Sequence, residues 1–383
     1  MGTPVRVLHV VVNMNRGGAE TLIMNLYRNI DRSKVQFDFL TCKEGVFDSE
    51  IKAMGGKIHR IPYVSDVGHR GYVRGLNQFF HRHFYYQIVH SHLDKMSGLV
   101  LRAARKASIP NRIAHSHNTS SEGGQVTKFY KWYVGLLIDK NANHLFACSL
   151  LAARWLYGSK SRSSTIIKNG IEFENFSFSK EIRKEIRKEL DISNETFVLG
   201  HVGRFAKQKN HHFLIEVFSD FVKIKKDSLL LLAGDGPLRS EIERKVKKLR
   251  IEKNVKFLGI RSDVNHVSQA FDVFVFPSFH EGLPVTLIEA QAAGLTCFIS
   301  DNITTEIDLG MKLIHQLSLD DKTSWVDHLL TFSEKSTSRY QSPLVFTLKG
   351  YNILQSARQL EENYLRMGGE MNEEINHLHP NVQ

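Results

Sequence analysis

The chain has 383 residues, which is too long for one ordinary domain and predicts two or three. Hydrophobic residues make up 42% of it and charged residues 24%, a globular composition that excludes a disordered or low-complexity chain. The formal net charge is +11, and the excess lies in residues 1–170, where 24 Lys and Arg stand against 10 Asp and Glu. This asymmetry indicates that the first half meets an anionic surface, such as lipid headgroups, nucleic acid or a phosphorylated substrate.

The three cysteines, Cys42, Cys148 and Cys297, are widely spaced and fit neither a disulfide framework nor a zinc site. The apolar start is only about eight residues long and lacks a signal-peptide cleavage region. No later run reaches the ~18 apolar residues of a membrane span. We therefore expect a cytoplasmic protein.

Short β-rich runs alternate with longer helical patterns along most of the chain. In the first half, strands are predicted at 5–12, 36–41, 57–62, 87–91, 112–117, 144–149 and 164–168, and helices around 18–30, 47–55, 72–85, 96–108, 125–140 and 149–157. In the second half, strands are predicted near 197–202, 228–233, 254–258, 272–277 and 295–300, with helices between them. Such alternation predicts parallel sheets with helices on both faces.

A polar connector at 171–195 separates the two series, and within it residues 180–190 are predicted to form a charged, solvent-exposed helix. We predict two doubly wound, Rossmann-like α/β domains, at 1–170 and 196–349, that face one another across a cleft. The segment 350–383 is expected to hold a last helix, crossing back to the first domain, and a tail. Ligands of such folds bind beyond the carboxyl ends of the strands, so the chemistry is expected in the loops there.

The first such loop contains Gly17-Gly18, directly before a predicted helix. Glycines let the backbone approach a ligand closely, and a helix N-terminus offers unpaired N–H groups to an anion. The pattern is not the GxGxxG fingerprint of dinucleotide cofactors, and no cofactor is expected. A tight strand-to-helix turn explains the glycine pair equally well.

The predicted strand 197–202 runs into a loop that carries Arg204 and Lys209. Two cationic side chains there can neutralise a leaving diphosphate in place of a metal. Solvated surface charge is the alternative, and the position just beyond a buried strand argues against it.

The stretch 276–290 combines a strand end, a glycine-containing loop and a helix with Pro284 near its first turn. Backbone amides at 282–286 are placed to meet a phosphate or sugar hydroxyls. Glu281 lies in the loop and Glu289 about a turn and a half into the helix. We assign separate roles to these two carboxylates, while a plain helix cap remains the alternative.

Together these motifs closely resemble the family-four retaining glycosyltransferases of the GT-B fold. The matches occur in the family's order over roughly residues 5–300 and are Gly17-Gly18-Ala19-Glu20, Lys168-Asn169-Gly170, Gly203-Arg204 with Lys209, Gly234-Asp235-Gly236-Pro237-Leu238, Phe257-Leu258-Gly259 and Glu281-x7-Glu289. The motif around Gly17 and the run His115-Ser116-His117-Asn118-Thr119 look like the branch that makes bacterial exopolysaccharide or capsule.

The resemblance implies a role for each matching position. Arg204 and Lys209 would bind the donor diphosphate, and Glu289 the ribose hydroxyls. Glu281 and the following residues would hold the transferred sugar, and His117 would lie near it, whereas His90, His92 and His115 are expected to be structural. The complete predicted donor set is Gly17, Gly18, Asn169, Arg204, Lys209, Gly282, Leu283, Pro284, Val285, Thr286 and Glu289, with His117, Glu281, Arg204 and Lys209 taken as catalytic.

The reaction implied is transfer of a hexose or N-acetylhexosamine from a nucleotide-diphosphate sugar, UDP-sugar above all, with retention of configuration. No suitable carboxylate pair for double displacement is apparent, which favours front-face substitution. No DxD-like motif occupies a post-strand loop, so transfer is expected without a metal. A sugar-nucleotide epimerase of the same fold is the alternative enzyme.

Two stretches of the basic half mix cations with large aromatic residues, as interfacial helices do. The first stretch, residues 70–86, contains Arg70, Arg74 and Arg82 together with aromatic residues such as Phe79, Phe80 and Tyr86. The second, residues 128–133, contains Lys128, Lys131 and Trp132. We predict that they hold the protein on the anionic inner face of the cell membrane, where a polyprenyl-diphosphate-linked glycan would be the acceptor. A non-enzymatic membrane or nucleic-acid-binding protein is the remaining alternative, and no nucleic-acid-binding motif supports the latter.

Overall fold

The structure is a computed structural model that describes residues 3–121, 123–334, 339 and 341–378, with side chains up to residue 369. The chain divides into two compact units, one made of Met1–Gly170 and Gly350–Gln383 and the other of Ile171–Lys349. Each unit holds one parallel sheet with helices packed around it. The predicted class, two doubly wound α/β domains, is confirmed.

The sheet of the first unit has seven strands in the order β3-β2-β1-β4-β5-β6-β7. Strand β2 is buried along its whole length, as expected for a parallel strand covered on both faces. The strands are β1 Val5–Val10, β2 Val35–Thr41, β3 Ile58–Arg60, β4 Ile88–Ser91, β5 Asn111–Ser116, β6 His144–Ala147 and β7 Thr165–Ile166. Its helices up to residue 157 are α1 Gly18–Asn29, α2 Asp48–Ala53, α3 Val64–Arg82, α4 Ser97–Lys106, α5 Gln125–Gly135, α6 Ile138–Asn141 and α7 Leu150–Tyr157.

The sheet of the second unit has six strands in the order β10-β9-β8-β11-β12-β13. The strands are β8 Phe197–Val202, β9 Ser228–Ala233, β10 Val255–Gly259, β11 Val273–Phe276, β12 Thr296–Ser300 and β13 Ile314–Leu317. The helices are α8 Phe173–Phe176, α9 Lys180–Glu189, α10 His211–Ile224, α11 Arg239–Leu249, α12 Val264–Val267, α13 Val285–Ala292, α14 Lys322–Ser333 and α15 Pro343–Leu348. Short 3-10 segments in the two units lie at Asp94–Met96, Gly158–Ser163, Lys207–Lys209, Glu252–Asn254, Ser268–Ala270 and Thr305–Ile307.

The last helix, α16 (Ile353–Leu378), packs into the core of the first unit. One face of it is buried there, through Ile353, Ala357, Leu360, Tyr364 and Met367. These positions recur every three or four residues, which is the spacing of one helical face. The entry of this helix requires a glycine at 170, because a Cβ there would lie 2.7 Å from the Cα of Ile353.

The structure corrects the sequence prediction at β13, at the start of α3 and at the helix predicted over 125–140. Strand β13 was missed because it lies at the edge of its sheet, where His315 and Gln316 are exposed and break the apolar run. Helix α3 begins at Val64, eight residues before the predicted start. Gly68, with φ of +66°, kinks the helix after its first turn and interrupts the helical pattern of the sequence. The helix predicted at 125–140 is two helices, α5 and α6.

Helix α9 is charged, as predicted, but it is not simply solvent-exposed. Arg187 is among the largest fully buried side chains of the protein. Its guanidinium donates to the carboxylate of Asp272 at 2.8 Å and to the carbonyl oxygens of Ala270, Ser193 and Thr196. Arg183 reaches the same carboxylate at 2.6 Å. The helix is fixed against the start of β11, which Asp272 immediately precedes, because this network pairs the buried guanidinium of Arg187 with a carboxylate.

Candidate functional site

In the second unit, the loops after β8, β9 and β10 are packed against one another. The Gly203 N–H donates to Ala233 O at 2.9 Å, and the Phe205 N–H donates to Asp235 O at 3.0 Å. A Cβ on Gly234, whose φ is +135°, would lie 2.1 Å from Gly203 O. The glycine-rich motifs are therefore needed to let these loops approach one another. The sequence alone did not distinguish this structural role from contact with a ligand.

A further pair of contacts ties the loop after β8 to the loop after β11. The Phe279 N–H donates to Gln208 O at 2.9 Å, and the Gln208 side-chain amide donates to His280 O at 2.8 Å. Asn210 ends the first loop in the left-handed conformation, with φ of +52°, which asparagine tolerates better than most residues. Two segments some 70 positions apart are thus held as one rim of the sheet.

Across this rim, Lys209 Nζ lies 2.7 Å from Glu281 Oε1. Both side chains are largely buried, with 16% and 9% of their surface exposed. The ammonium also lies 4.6 Å from the centre of the Phe276 ring, a cation–π distance. The structure thus brings together two of the residues that the sequence predicted to be catalytic, and it pairs a cation and an anion beside one loop.

Arg204 is on the same loop but is exposed. Among the described residues, its side chain forms no hydrogen bond or ion pair, in contrast to that of Lys209. An anionic ligand can therefore bind this guanidinium without breaking an existing side-chain interaction.

The start of α13 offers polar groups to a ligand. Val285 and Thr286 occupy its first two positions, so their N–H groups have no partner inside the helix. The hydroxyl of Thr286 is buried and has no hydrogen-bond partner in the described part of the chain. Gly282, Leu283 and Pro284, which precede the helix, are buried. The part of the predicted run at Val285 and Thr286 is therefore a helix N-terminus whose first N–H groups have no partner inside the helix, and such a terminus favours negative charge.

Glu289 lies one turn further along α13 and is half-buried. Desolvation raises the pKa of its carboxyl from 4.5 to about 7. No described residue forms a hydrogen bond or an ion pair with this carboxylate. A carboxyl group with a raised pKa and no partner among the described residues is typical of a site that binds a ligand.

The remaining predicted donor residues belong to the first unit. Gly17 caps α1 with φ of −102°, a conformation open to any residue, while a Cβ on Gly18 would meet nothing within 4 Å. Open space at Gly18 is compatible with close approach of a ligand. Asn169 is buried beside the entry of α16, since Lys168 O accepts from the Ser356 hydroxyl at 3.1 Å.

His117 follows β5 and belongs to a chain of hydrogen-bonded imidazoles that sequence reasoning missed. His9 Nδ1 lies 2.9 Å from His92 Nε2, and His92 Nδ1 lies 2.8 Å from His117 Nε2. A second chain runs beside it, from Tyr364 through His90 to His115. Strands β1, β4 and β5 are neighbours in the sheet, and their carboxyl ends bring the five histidines together.

Burial keeps these imidazoles neutral. Desolvation lowers the pKa of His9 to about 3 and that of His117 to about 4, and it lowers the pKa of His90, His92 and His115 well below the ordinary value of 6.5. A neutral imidazole has one N–H donor and one acceptor nitrogen. The cluster is therefore a hydrogen-bonding network near neutral pH, with no cationic member.

The loop at His117 is anchored by Asp94. The His117 N–H donates to Asp94 Oδ1 at 2.9 Å, and the Asn118 side chain donates to Oδ2 at 3.0 Å. Asp94 has φ of +46°, an uncommon conformation for a residue other than glycine. Such local strain is tolerated where the surroundings fix it, often at functional sites.

Within the described residues, the groups spaced to hold a metal ion are two sets of histidines in this cluster, His9 with His90 and His92, and His92 with His115 and His117. No such group lies at the loops of the second unit. Asp235 there forms an ion pair with Arg239 at 3.4 Å. The expectation of metal-free transfer stays a prediction for the diphosphate-binding loops.

The six residues predicted to face a membrane lie on two helices of the first unit. Arg70, Arg74 and Arg82 on α3 are exposed, as are Lys128 and Trp132 on α5, while Lys131 is half-buried. His69 on α3 and the Tyr130 hydroxyl on α5 are 2.8 Å apart, so the two helices are neighbours. Phe79, Phe80 and Tyr86, part of the aromatic pattern in the first stretch, are core residues instead. No helix among the described residues is both long and apolar enough to cross a bilayer.

Comparison with solved structures identifies the fold. The chain superposes on Anabaena HepE, a structure in complex with UDP and glucose, with a TM-score of 0.71 at 17% identity, covering 97% of this chain and 99% of that one. The chain has two units, each with one parallel sheet, and it superposes on HepE over nearly its whole length. These two observations identify the GT-B fold of glycosyltransferases.

Sequence comparison identifies the family. Residues 17–170 match the glycosyl transferase 4-like domain, and residues 182–309 match glycosyl transferases group 1. The chain is 39% identical to the glycosyltransferase-family protein EpsF of Bacillus subtilis strain 168 over 335 residues, 84% of this chain and 86% of that protein. It is 28% identical to the Escherichia coli UDP-Gal:α-D-GlcNAc-diphosphoundecaprenol α-1,3-galactosyltransferase over 74% of this chain and 76% of that enzyme. The chain therefore belongs to this glycosyltransferase family, and the predicted resemblance is confirmed.

Proposed function

We propose that this glycosyltransferase transfers a hexose or N-acetylhexosamine from a UDP-sugar, with retention, to a lipid-linked glycan in exopolysaccharide or capsule synthesis. The observation that carries the proposal is the rim of the second unit. There, the ion pair of Lys209 and Glu281, the exposed side chain of Arg204 and the first N–H groups of α13 lie beyond the ends of neighbouring strands. This arrangement supplies positive potential and hydrogen-bond donors, as a sugar diphosphate requires.

The division of labour follows from the state of each side chain. Arg204 and Lys209 neutralise the diphosphate, and the amides of Val285 and Thr286 add partial positive charge. Glu289, whose carboxylate has no partner among the described residues, accepts hydrogen bonds from the ribose hydroxyls. Glu281, fixed by Lys209, contacts the transferred sugar, and His117 donates a hydrogen bond to that sugar.

The proposed reaction is a front-face substitution. The acceptor hydroxyl forms its bond to the anomeric carbon on the face from which the nucleotide diphosphate departs, and the C1–O bond to phosphate breaks. The hydroxyl proton passes to the departing phosphate oxygen, so the protein supplies no general base. Charge grows on the diphosphate during this step, and Arg204 and Lys209 stabilise it more in the transition state than in the ground state.

The choice of donor and acceptor is supported by relatives. The E. coli relative is named for UDP-galactose and a diphosphoundecaprenol-linked sugar. HepE was crystallised with UDP. A polyprenyl-diphosphate acceptor also fits the basic first half of this chain.

Donor screening of the purified protein tests this function. UDP-glucose, UDP-galactose, their N-acetyl analogues and GDP-mannose are incubated with a polyprenyl-diphosphate N-acetylglucosamine acceptor, with and without EDTA. We expect one UDP-sugar to be consumed, with an α-linkage by NMR and no loss of rate in EDTA. A β-linked product would contradict retention, and an epimerised UDP-sugar without transfer would show the alternative activity.

We further propose that the protein binds the cytoplasmic face of the membrane through α5 and the neighbouring part of α3. Helix α5 exposes an apolar row that a globular surface rarely carries: Val126 is 85% exposed, Phe129 67%, Trp132 49% and Tyr133 58%. Residues three or four apart share a helical face. Exposed Lys128, Arg70 and Arg74 lie on the same two helices and favour anionic headgroups.

Sedimentation with vesicles tests this second proposal. We expect pelleting with vesicles that contain phosphatidylglycerol, and less of it at high salt, since each cation contributes roughly 1 kcal/mol near an anionic surface. Equal pelleting with neutral vesicles, or none at low salt, would contradict it.

A further inference from the structure

The imidazole chain of the first unit has a direction, and that direction determines which nitrogen of His117 carries its proton. We propose that His9 and His92 are positioning residues that fix His117 as the Nδ1–H tautomer. This inference rests on the proposed function in one respect, namely that the proton on His117 Nδ1 is the one offered to the donor sugar. The tautomer itself is a property of the unliganded protein.

Two hydrogen bonds link the chain, and each joins nitrogen atoms 2.8–2.9 Å apart. Because each neutral imidazole carries one proton, His92 must donate through one nitrogen and accept through the other. The three protons therefore move together. Either all lie on Nδ1, with donation running from His9 to His117, or all lie on Nε2, with donation running the other way.

The inner end of the chain decides between these two arrangements. His9 is 1% exposed, and its Nε2 is buried without a hydrogen-bond partner in the described part of the chain. The rings of Phe37, Phe39 and Tyr364 lie 4.1, 5.7 and 6.1 Å from its ring. An Nε2 proton there would be a buried donor without an acceptor, which proteins avoid more strictly than an acceptor without a donor.

The outer end favours the same arrangement. His117 is half-buried, and its Nδ1 has no partner among the described residues. A proton on this atom can be donated to water or to a ligand oxygen, whereas the inward arrangement would leave only an acceptor there. His9 and His92 thereby make His117 a donor toward an oxygen of the sugar, although neither residue contacts the sugar.

The second chain provides a matched control. His90 Nε2 lies 2.9 Å from His115 Nδ1, and His90 Nδ1 lies 2.5 Å from the Tyr364 hydroxyl. Its rings stack on the first chain, at 4.2 Å between His90 and His92 and 4.1 Å between His115 and His117. No recorded hydrogen bond joins the two chains, so His90 contributes packing without influencing the proton of His117.

Long-range ¹H–¹⁵N correlation of the full-length protein labelled with ¹⁵N-histidine measures the tautomers directly, without substrate. We expect His9, His92 and His117 all to be Nδ1–H in the wild type. In His92→Asp, the carboxylate at the position of Nδ1 can only accept a hydrogen bond, so His117 should switch to the Nε2–H form, whereas His90→Phe should leave His117 unchanged. In His92→Asn, the side-chain amide occupies the position of Nδ1, can still donate to His117, and should preserve the Nδ1–H form.

Several outcomes would overturn the inference. His117 as Nε2–H in the wild type would reverse the direction of the chain, and this result needs no variant to fold. An unchanged Nδ1–H tautomer of His117 in a folded His92→Asp would show that His92 does not control it. Stoichiometric zinc on these imidazoles in the purified protein would replace the hydrogen bonds altogether. Failure to find a sugar donor, by contrast, would affect the proposed function and leave the tautomer result intact.

Discussion

Lys209 and Glu281 form an ion pair of 2.7 Å between two loops of the second unit, with both side chains largely buried. Removal of one partner from such a pair leaves an uncompensated, partly desolvated charge. Each residue therefore fixes the position of the other before any donor binds. In the proposed function, the donor diphosphate shares the ammonium of Lys209 with Glu281.

The first prediction is that substitutions of Lys209 and Glu281 are strongly non-additive. Lys209→Ala and Glu281→Ala should each lower kcat/KM on the order of 10²-fold, as loss of a transition-state charge partner does. The double variant should lose little more than either single one, because both substitutions disable one unit. A double-mutant cycle in the transfer assay measures this non-additivity.

The pair of Lys245 and Glu216, in the same unit, is the control, and its variants should retain full activity. Additive losses at 209 and 281 would contradict the shared role.

Arg204 provides a second prediction, because its side chain is exposed and forms no hydrogen bond or ion pair with a described residue. Arg204→Ala should lower kcat/KM on the order of 10²-fold through lost charge stabilisation while leaving Tm unchanged. Lys207→Ala, an exposed cation three residues away in the same loop, is the matched control and should be near wild type in both measurements. Equal losses for the two variants would reduce the role of Arg204 to general positive potential.

The third prediction concerns the pH dependence of nucleotide binding at Glu289, whose pKa is raised to about 7 by desolvation. The ribose hydroxyls require the ionised carboxylate as acceptor, so affinity for UDP should fall as pH drops below 7. Calorimetry with UDP between pH 5.5 and 8 measures this. The nucleotide titrates in the same range, and Glu289→Gln corrects for it: the affinity ratio of wild type to variant should approach a tenfold change per pH unit below the pKa. A constant ratio would show that Glu289 does not hold the ribose.

The same carboxyl group predicts a stability effect. Its pKa is about 7 in the folded chain and near 4.5 when unfolded, so the folded state binds the proton more tightly. The stabilisation from this group is complete below about pH 4.5 and is lost as pH rises through 7. At pH 8, Glu289→Gln removes a desolvated charge and should raise Tm by a few degrees, with a smaller effect at pH 5. A lower Tm at pH 8 would reveal a stabilising partner for the carboxylate.

The fold and part of the site could be predicted because their signals are local. Alternating strand and helix patterns gave both sheets, and the loops with Arg204, Lys209 and Glu281 follow predicted strands directly. The contact between Lys209 and Glu281 joins residues 72 positions apart, and no local pattern specifies it. Strand β13 was missed because edge exposure removes its apolar run.

The imidazole chain could not be predicted from local sequence patterns, because it joins histidines at the ends of three different strands. His90 and His92 lie two residues apart, as do His115 and His117, so each pair projects to one face at a strand end. Their convergence with His9 depends on β1, β4 and β5 being neighbours. Strand order is set by tertiary packing, and the sequence therefore predicted a role for His117 alone.

The last prediction separates the apolar from the electrostatic part of membrane binding by α5. Phe129 and Trp132 lie one turn apart on this helix, and 67% and 49% of their surfaces are exposed. Burying such rings at the headgroup boundary adds to the attraction of Lys128 and the arginines of α3 for anionic lipid. We expect Phe129→Ser with Trp132→Ser to weaken pelleting with phosphatidylglycerol vesicles at all salt concentrations.

Substitution of Arg74, Arg82, Lys128 and Lys131 by Glu should weaken pelleting chiefly at low salt. At high salt, ions already screen the attraction of these cations for anionic lipid. The matched control is Leu344→Ser with Leu348→Ser on α15, where the side chains are 65% and 76% exposed in the second unit. This control removes comparable exposed apolar surface and should pellet like the wild type. Affinity for UDP, measured by calorimetry, should be unchanged in all three variants, since none alters the loops of the second unit. Equal loss of pelleting in the α15 control would mean that general surface hydrophobicity, and not α5, holds the protein on the vesicle.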